Sequence, residues 1–243
     1  MRARTSSLPS FSSEDTIASA EPCTSAFTIS GSRFTQSGVG NSVVYQAVSR
    51  SSGVLDQGRI TGNTLTLPAN SNSDAIDVNL IGTGNARFEI SGNTIPSFGI
   101  YGIAVTSALE PSTVPPPSGP GRLDALITGN TVSSPTGTPD NGLDGINVTT
   151  GTSATGDTNA MCVRLQGNVS TAALGSGAAG IRLRQRAGTT LTIETAAGSS
   201  VPTGSSNAAV VTAIQNANPP STARIVSGAT LTPVSGTCVG PAN

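Results

Sequence analysis

One short pattern occurs five times, and it limits the folds open to this chain. Its clearest copy is Arg87-Phe88-Glu89-Ile90-Ser91-Gly92-Asn93-Thr94-Ile95: an alternating run, a Gly-Asn turn, and the start of a second run. It returns at Arg59-Ile60-Thr61-Gly62-Asn63-Thr64-Leu65 and at Leu126-Ile127-Thr128-Gly129-Asn130-Thr131-Val132. A looser copy is Val163-Arg164-Leu165-Gln166-Gly167-Asn168-Val169, and Phe27-Thr28-Ile29-Ser30-Gly31-Ser32 carries Ser where Asn would stand. The glycines at 31, 62, 92, 129 and 167 are spaced by 31, 30, 37 and 38 residues. A period of roughly 20–50 residues signals a solenoid, a propeller or an array.

A second motif lies between the copies. It reads Asp74-Ala75-Ile76-Asp77-Val78-Asn79-Leu80, then Tyr101-Gly102-Ile103-Ala104-Val105, Asp144-Gly145-Ile146-Asn147-Val148 and Ala179-Gly180-Ile181-Arg182-Leu183. A degenerate first member is Ser42-Val43-Val44-Tyr45-Gln46-Ala47-Val48. Each alternates with a period of two, as a half-buried strand does. The runs are too short, β-branched and Gly-interrupted for helix. One repeat is therefore a strand, a Gly-Asn turn, a short strand, a variable loop and a third strand. The loops at 109–120, with three consecutive prolines, at 134–142 and at 151–158 absorb the longer intervals. Loop entropy grows only logarithmically with length, so they leave the core intact.

Residues 1–25 are polar and Ser-rich and read as a disordered or linker-like lead-in. Residues 26–187 carry the repeats. From 188 to 243 the pattern changes, and this part reads as a cap, which a solenoid needs to cover its last apolar layer and open strand edges. One more strand is expected at Thr189–Glu194. A short helix is expected near Ala208–Gln215, capped by Ser206 or Asn207 and stopped by Pro219-Pro220. Last strands are expected at Arg224-Ile225-Val226 and Thr230-Leu231-Thr232.

The 12 basic residues are all Arg, against 13 acidic ones, for a net charge of −1. That is no footprint for nucleic acid or for a polybasic membrane contact. No run approaches the length of a membrane span. His is absent, which removes the commonest acid/base and metal ligand. Residues 1–21 lack the apolar run of a signal peptide.

The I-x-G-N-T-[IV] copies with their G-I-x-V partners resemble the right-handed parallel β-helix repeat of many secreted bacterial proteins, over roughly Phe27 to Arg186. The tail is narrower. Met161-Cys162-Val163-Arg164-Leu165-Gln166-Gly167-Asn168, then Gly180-Ile181-Arg182-Leu183-Arg184-Gln185-Arg186, Ala208-Ala209-Val210-Val211 and the late Cys238 resemble the C-terminal end of large bacterial surface proteins. The resemblance implies an exported, adhesin-like or structural module, and a chain that is a fragment of a longer one. The fold expected is all-β: a right-handed single-stranded parallel β-helix of about five to six coils, with a C-terminal cap containing a short helix. Ile60, Ile90, Ile127 and Leu165 should form one aliphatic stack, and Ile76, Ile103, Ile146 and Ile181 another. Asn63, Asn93, Asn130 and Asn168 should be turn residues, tolerant of left-handed backbone, whose amides bond from coil to coil. A Cys162–Cys238 disulfide would close a loop of about 76 residues, worth roughly 4–5 kcal/mol in chain entropy. The alternative is two buried thiols, and Cys23 is expected to stay unpaired.

Candidate chemistry is sparse. A glycoside hydrolase needs two converging carboxylates. Asp140 and Asp144 are close in sequence, and Asp77, about two coils earlier, is a candidate for the same face, but a turn Asp and a strand-start Asp explain them more simply. A Ca²⁺-dependent lyase would need an Asp-rich loop, which is not seen. Arg182, Arg184 and Arg186 form a basic row that could grip an anionic glycan. The simpler reading is a solvated face, with pairing to Glu194. The Thr-x-Thr pairs at Thr190 and Thr230 do not recur on every coil, so strand propensity accounts for them. Sequons at Asn147 and Asn168 carry little weight. No residue is therefore assigned a catalytic, cofactor-binding or metal role. The function expected is a non-catalytic, extracellular or cell-surface module of a bacterial protein: an adhesin, stalk or spacer. Its expected partner is a surface glycan or a host or cell-surface ligand, not nucleic acid or membrane. The alternative is a carbohydrate-active enzyme, a polysaccharide lyase or glycoside hydrolase.

Overall fold

A computed structural model describes residues 26–35, 46–48, 55–68, 73–82, 84–108, 121–133, 144–151, 156–171, 178–226 and 230–242. The expected lead-in, Cys23, Asp140 and the loops at 109–120 and 134–142 lie outside the described residues. Strands come in sets of three. The first is β1 (Ala26–Ser30), β2 (Arg33–Thr35) and β3 (Gln46–Val48). The second is β4 (Leu55–Thr61), β5 (Thr64–Thr66) and β6 (Ile76–Ile81). The third is β7 (Asn85–Ser91), β8 (Thr94–Ser97) and β9 (Tyr101–Ala108). The fourth is β10 (Arg122–Thr128), β11 (Thr131–Val132) and β12 (Asp144–Thr150), and the fifth is β13 (Ala160–Gln166), β14 (Val169–Ser170) and β15 (Ile181–Gln185).

Every third strand joins the same sheet. Sheet A is β1-β4-β7-β10-β13 extended by β16 (Thr190–Ala196) and the antiparallel β17 (Ser199–Ser200). Sheet B runs β2-β5-β8-β11-β14, and sheet C runs β3-β6-β9-β12-β15, ending in β18 (Ala223–Ile225). The pairs between successive sets are parallel. The molecule is thus mostly β with parallel sheets, an arrangement compatible with an all-β solenoid.

Alternation sets the core. Ile60, Ile90, Ile127 and Leu165 are register partners strand by strand, and all are buried. Ile76, Ile103, Ile146 and Ile181 form the matching line in sheet C, each fully buried. Gly58 lies between Phe27 and Phe88, whose rings meet 5.9 Å apart. A Cβ at Gly58 would stand 2.3 Å from Phe27, so this aromatic contact requires the missing side chain.

The corner between sheets A and B explains the repeated Gly-Asn. Gly31, Gly62, Gly92, Gly129 and Gly167 have φ between 57° and 66°. No described non-Gly residue has positive φ. The left-handed position expected of the Asn is therefore taken by the Gly before it, the residue with no Cβ penalty. That leaves the Asn free to turn inward. Asn93 Nδ2 donates to Ile60 O at 2.7 Å and to Asn130 Oδ1 at 3.0 Å, while the Asn93 backbone N–H donates to the same Asn130 Oδ1 at 3.0 Å. Asn63 repeats this toward Asn93, and Asn130 toward Asn168. All four amides are buried.

The ladder has a fifth rung. The helix α1 (Asn207–Ala217) is capped by Ser206, whose hydroxyl accepts from Ala209 N–H at 3.3 Å. Asn207 instead accepts from Leu231 N–H. Val210 and Ile214 are the buried residues of α1 and pack into the core. Its C-cap, Asn218, accepts from Asn168 N–H and Nδ2 at 3.0 and 2.8 Å, and donates to Leu165 O at 3.0 Å. The helix delivers a corner residue where a sixth Gly-Asn turn would sit. Beyond it, Ser221 accepts from Ser170 N–H, and β18 pairs with β15. Residues 230–232 do not form the expected strand. Next to them is a single bridge, Pro233 with Leu191.

From there the chain crosses the outer face of sheet A as a strap. Val234 N–H donates to Leu191 O on β16, and Cys238 joins Cys162 on β13 in a disulfide. Val239 N–H donates to Asp124 on β10, and Arg59 on β4 donates to Pro241 O and Ala242 O. The disulfide thus does more than pin the cap to the last coil: it ties a segment bonded to four strands of sheet A.

Candidate functional site

Sheet C carries a cluster of charged groups among the described residues. With Ile76 and Val78 inward, Asp77 and Asn79 face out. Register then builds one outward row, Asp77–Ala104–Asn147–Arg182–Arg224. Beside it, Tyr101 is the partner of Asp144. Asp74 accepts from Tyr101 N–H at 2.9 Å, and Asp144 accepts from Ala179 N–H at 2.9 Å. Each carboxylate at the start of a strand thus captures the backbone of the next set.

Asp144 is engaged on both of its oxygens. Arg224 grips it with two bonds, Nε to Oδ1 at 2.8 Å and Nη2 to Oδ2 at 2.7 Å, and Arg182 Nε stands 3.7 Å away. Its side chain is 0% exposed. Arg182 also donates to Asn147 Oδ1 at 2.6 Å and to the Tyr101 hydroxyl at 3.0 Å, with its guanidinium 5.8 Å from the Tyr101 ring centre. The pairing expected with Glu194 does not occur. The β13–β16 register sets Arg164 opposite Glu194, and those two pair at 2.8 Å. Arg184 has its pKa lowered by burial, then by Arg186 and Arg182.

The acidic end differs. Burial pushes Asp77 up to about 7, the nearby Asp74 charge adds to this, and a hydrogen bond from Asn79 opposes it. Burial likewise raises Asp74 to about 6, against the bond from Tyr101. The Tyr101 phenol is raised, mainly by burial. The face is therefore split: carboxyls with raised pKa at one end, arginines at the other. Asp77 and Arg182 are three strand spacings apart, roughly 14 Å.

Of the carboxylates singled out from sequence, Asp77 and Asp144 do share this face, two strands apart and three residues out of row, so that roughly 14 Å separates their backbone positions. Asp140 lies outside the described residues. Sequence reasoning missed Asp74, Tyr101, Asn147 as a binding group, and Arg224. Asp74 was readable, since it stands two residues before Ile76 as Asp144 stands two before Ile146. Arg224 was not, because nothing in sequence shows which strand it joins. The sequon residues Asn147 and Asn168 are both buried and hydrogen-bonded. In the loop at 151–158, Asp157 is buried and accepts from Asn159 N–H. Asn159 bonds Gly82 O and Gly121 N–H, so this region also serves a corner.

Among the described residues, one group of metal-ligand types comes together: Asp124, Cys162 and Cys238. Its two sulfurs are joined to each other. Compared with protein-family models, curated proteins and solved structures, the chain matches none of them.

Proposed function

We propose that the chain is a right-handed, single-stranded parallel β-helix serving as a non-catalytic module of a bacterial cell-surface protein, an adhesin, stalk or spacer. Cyclic recruitment of strands into three parallel sheets supports the β-helix, and parallel crossovers are right-handed in nearly all proteins. The observation that carries the non-catalytic reading is the use made of charge. Asp144, Asp124 and Glu194 are each buried and held by an arginine. Such pairs position strands, and both oxygens of each carboxylate are taken up in doing so. The outer face of sheet C is the surface offered to a glycan, with Arg182, Arg184 and Tyr101, none of them buried, as its polar groups. Binding of acidic and neutral polysaccharides to the immobilised protein tests this. Arg182→Ala should lose binding of acidic glycans, and binding unchanged by that substitution would refute the assignment of the face.

One observation favours the alternative, a carbohydrate-active enzyme. Asp77 has a carboxyl near neutrality, the property a general acid needs. Release of reducing or unsaturated ends by the wild type, abolished in Asp77→Asn, would establish catalysis and overturn the structural reading.

A further inference from the structure

The strap's covalent tie sits beside a carboxylate. An oxygen of Asp124 and the sulfurs of Cys162 and Cys238 all lie within 4.8 Å of one another, and all three residues are buried. Asp124 and Cys162 are register partners on β10 and β13. Cys238 arrives from the strap, next to Val239, whose N–H donates to Asp124. Arg122 holds the same carboxylate with two bonds of 2.8 Å.

We propose that, when the disulfide is reduced, Cys162, Cys238 and Asp124 bind a thiophilic divalent cation of the zinc class, so that metal replaces the disulfide as the latch of the strap. The chemistry balances. A dithiol reductant gives two electrons and two protons to the S–S bond, leaving two thiols, and itself becomes a disulfide. The cation then displaces both thiol protons to solvent and forms two sulfur bonds and one oxygen bond. Water completes the four-fold shell that zinc-class ions prefer. An ionised carboxylate offers about four acceptor positions. Arg122 and Val239 occupy three on Asp124, leaving one for a metal. Charge decides when the site exists. With the disulfide closed, Asp124 stands alone against Arg122 and against Arg87, its partner in the row. Two thiolates bring the negative charge to three and reverse the balance.

The full chain carrying Cys23→Ser, reduced under anaerobic conditions and titrated with Cd²⁺, tests this. A thiolate-to-metal absorption band in the near ultraviolet should saturate at one ion per chain, with about two protons released. Cys162→Ser should abolish the band. Asp124→Asn should weaken Cd²⁺ binding by at least about tenfold, in a protein whose circular dichroism and closed disulfide before reduction match the wild type. Arg122→Ala, a change at a half-exposed side chain, removes the competing donor and should tighten binding. Proteolysis of residues 230–242 should be fast in the reduced, metal-free protein and slow once Cd²⁺ is added. Absence of the band in the wild type would overturn the proposal. So would a Cd²⁺ affinity that neither Asp124→Asn nor Arg122→Ala changes.

Discussion

Replacing Asn130 with Ala probes the corner ladder at its centre. Asn130 Oδ1 accepts from Asn93 N–H and Nδ2, each at 3.0 Å, and its Nδ2 donates to Ile90 O at 2.8 Å and Asn168 Oδ1 at 2.9 Å. The site is fully buried, so water does not replace what is lost. Asn93 Nδ2 keeps its bond to Ile60 O, and Asn168 Oδ1 keeps the Asn130 backbone N–H. The groups that lose the bond supplied by this side chain are the Asn93 N–H and the Ile90 carbonyl. Stranding the buried Asn93 N–H costs about 1–3 kcal/mol and losing the side-chain bond to Ile90 O about 0.5–1.5 kcal/mol more, so the substitution should cost about 2–4 kcal/mol. Urea unfolding followed by far-ultraviolet circular dichroism, with the disulfide intact, measures it. Thr131→Ala, one residue away and exposed, is the control and should change stability by no more than about 0.5 kcal/mol. Asn130→Asp sharpens the test. Its second oxygen would face Ile90 O and Asn168 Oδ1, two acceptors, in a buried site. Burial raises the folded-state pKa of such an Asp above its unfolded value. The variant should therefore be least damaged at low pH and lose stability as pH rises through the folded pKa. A loss below about 1 kcal/mol for Asn130→Ala, or a pH-independent loss for Asn130→Asp, would show that the ladder does not hold the corner.

Three further outcomes are expected. Arg224→Met leaves the buried Asp144 with Arg182 alone at 3.7 Å, and should cost about 2–4 kcal/mol in urea unfolding, since breaking a buried pair strands a charge. Gly58→Ala forces a Cβ to within 2.3 Å of Phe27 and should cost about 1–3 kcal/mol by overpacking, with Phe27→Leu recovering part of the loss. Asp77 and Asp74 rise from 3.8 to about 7 and about 6 in the folded protein. The folded state then binds more protons than the unfolded state, and stability falls as pH increases from about 4 to 7. Asp77→Asn should flatten that slope in thermal unfolding across the same range.

The parts of the fold legible in sequence are those that repeat. Ile60, Ile90 and Ile127 sit at the same place in successive copies, and parallel pairing without register shift turns equal sequence position into direct contact. The corner asparagines were legible for the same reason. The division of labour inside the Gly-Asn pair was not, because either residue tolerates the left-handed region, and the cheaper one takes it. Side-chain pairing across the sheets was harder still. Arg182 and Glu194 are close in sequence, but they lie in different sheets, on β15 and β16, and register alone decides that Glu194 meets Arg164.

Asn218 shows where repetition stops informing. It closes the ladder fifty residues after Asn168, at the end of a helix, with Ala217 rather than Gly before it. A helix can end in this place because its final carbonyls need donors, as the edge of a corner does. Asn218 Nδ2 donates to Ile214 O in α1 and Leu165 O in β13 alike, while Gly167 N–H donates to Ala217 O. One amide therefore satisfies the last turn of the helix and the last rung of the sheet corner together. The cap is then part of the hydrogen-bond ladder rather than a cover laid upon it. Losing Asn218 should loosen α1 and the β13–β14 corner in one step, whereas the strap, bonded to β4, β10, β13 and β16 by other residues, should stay in place.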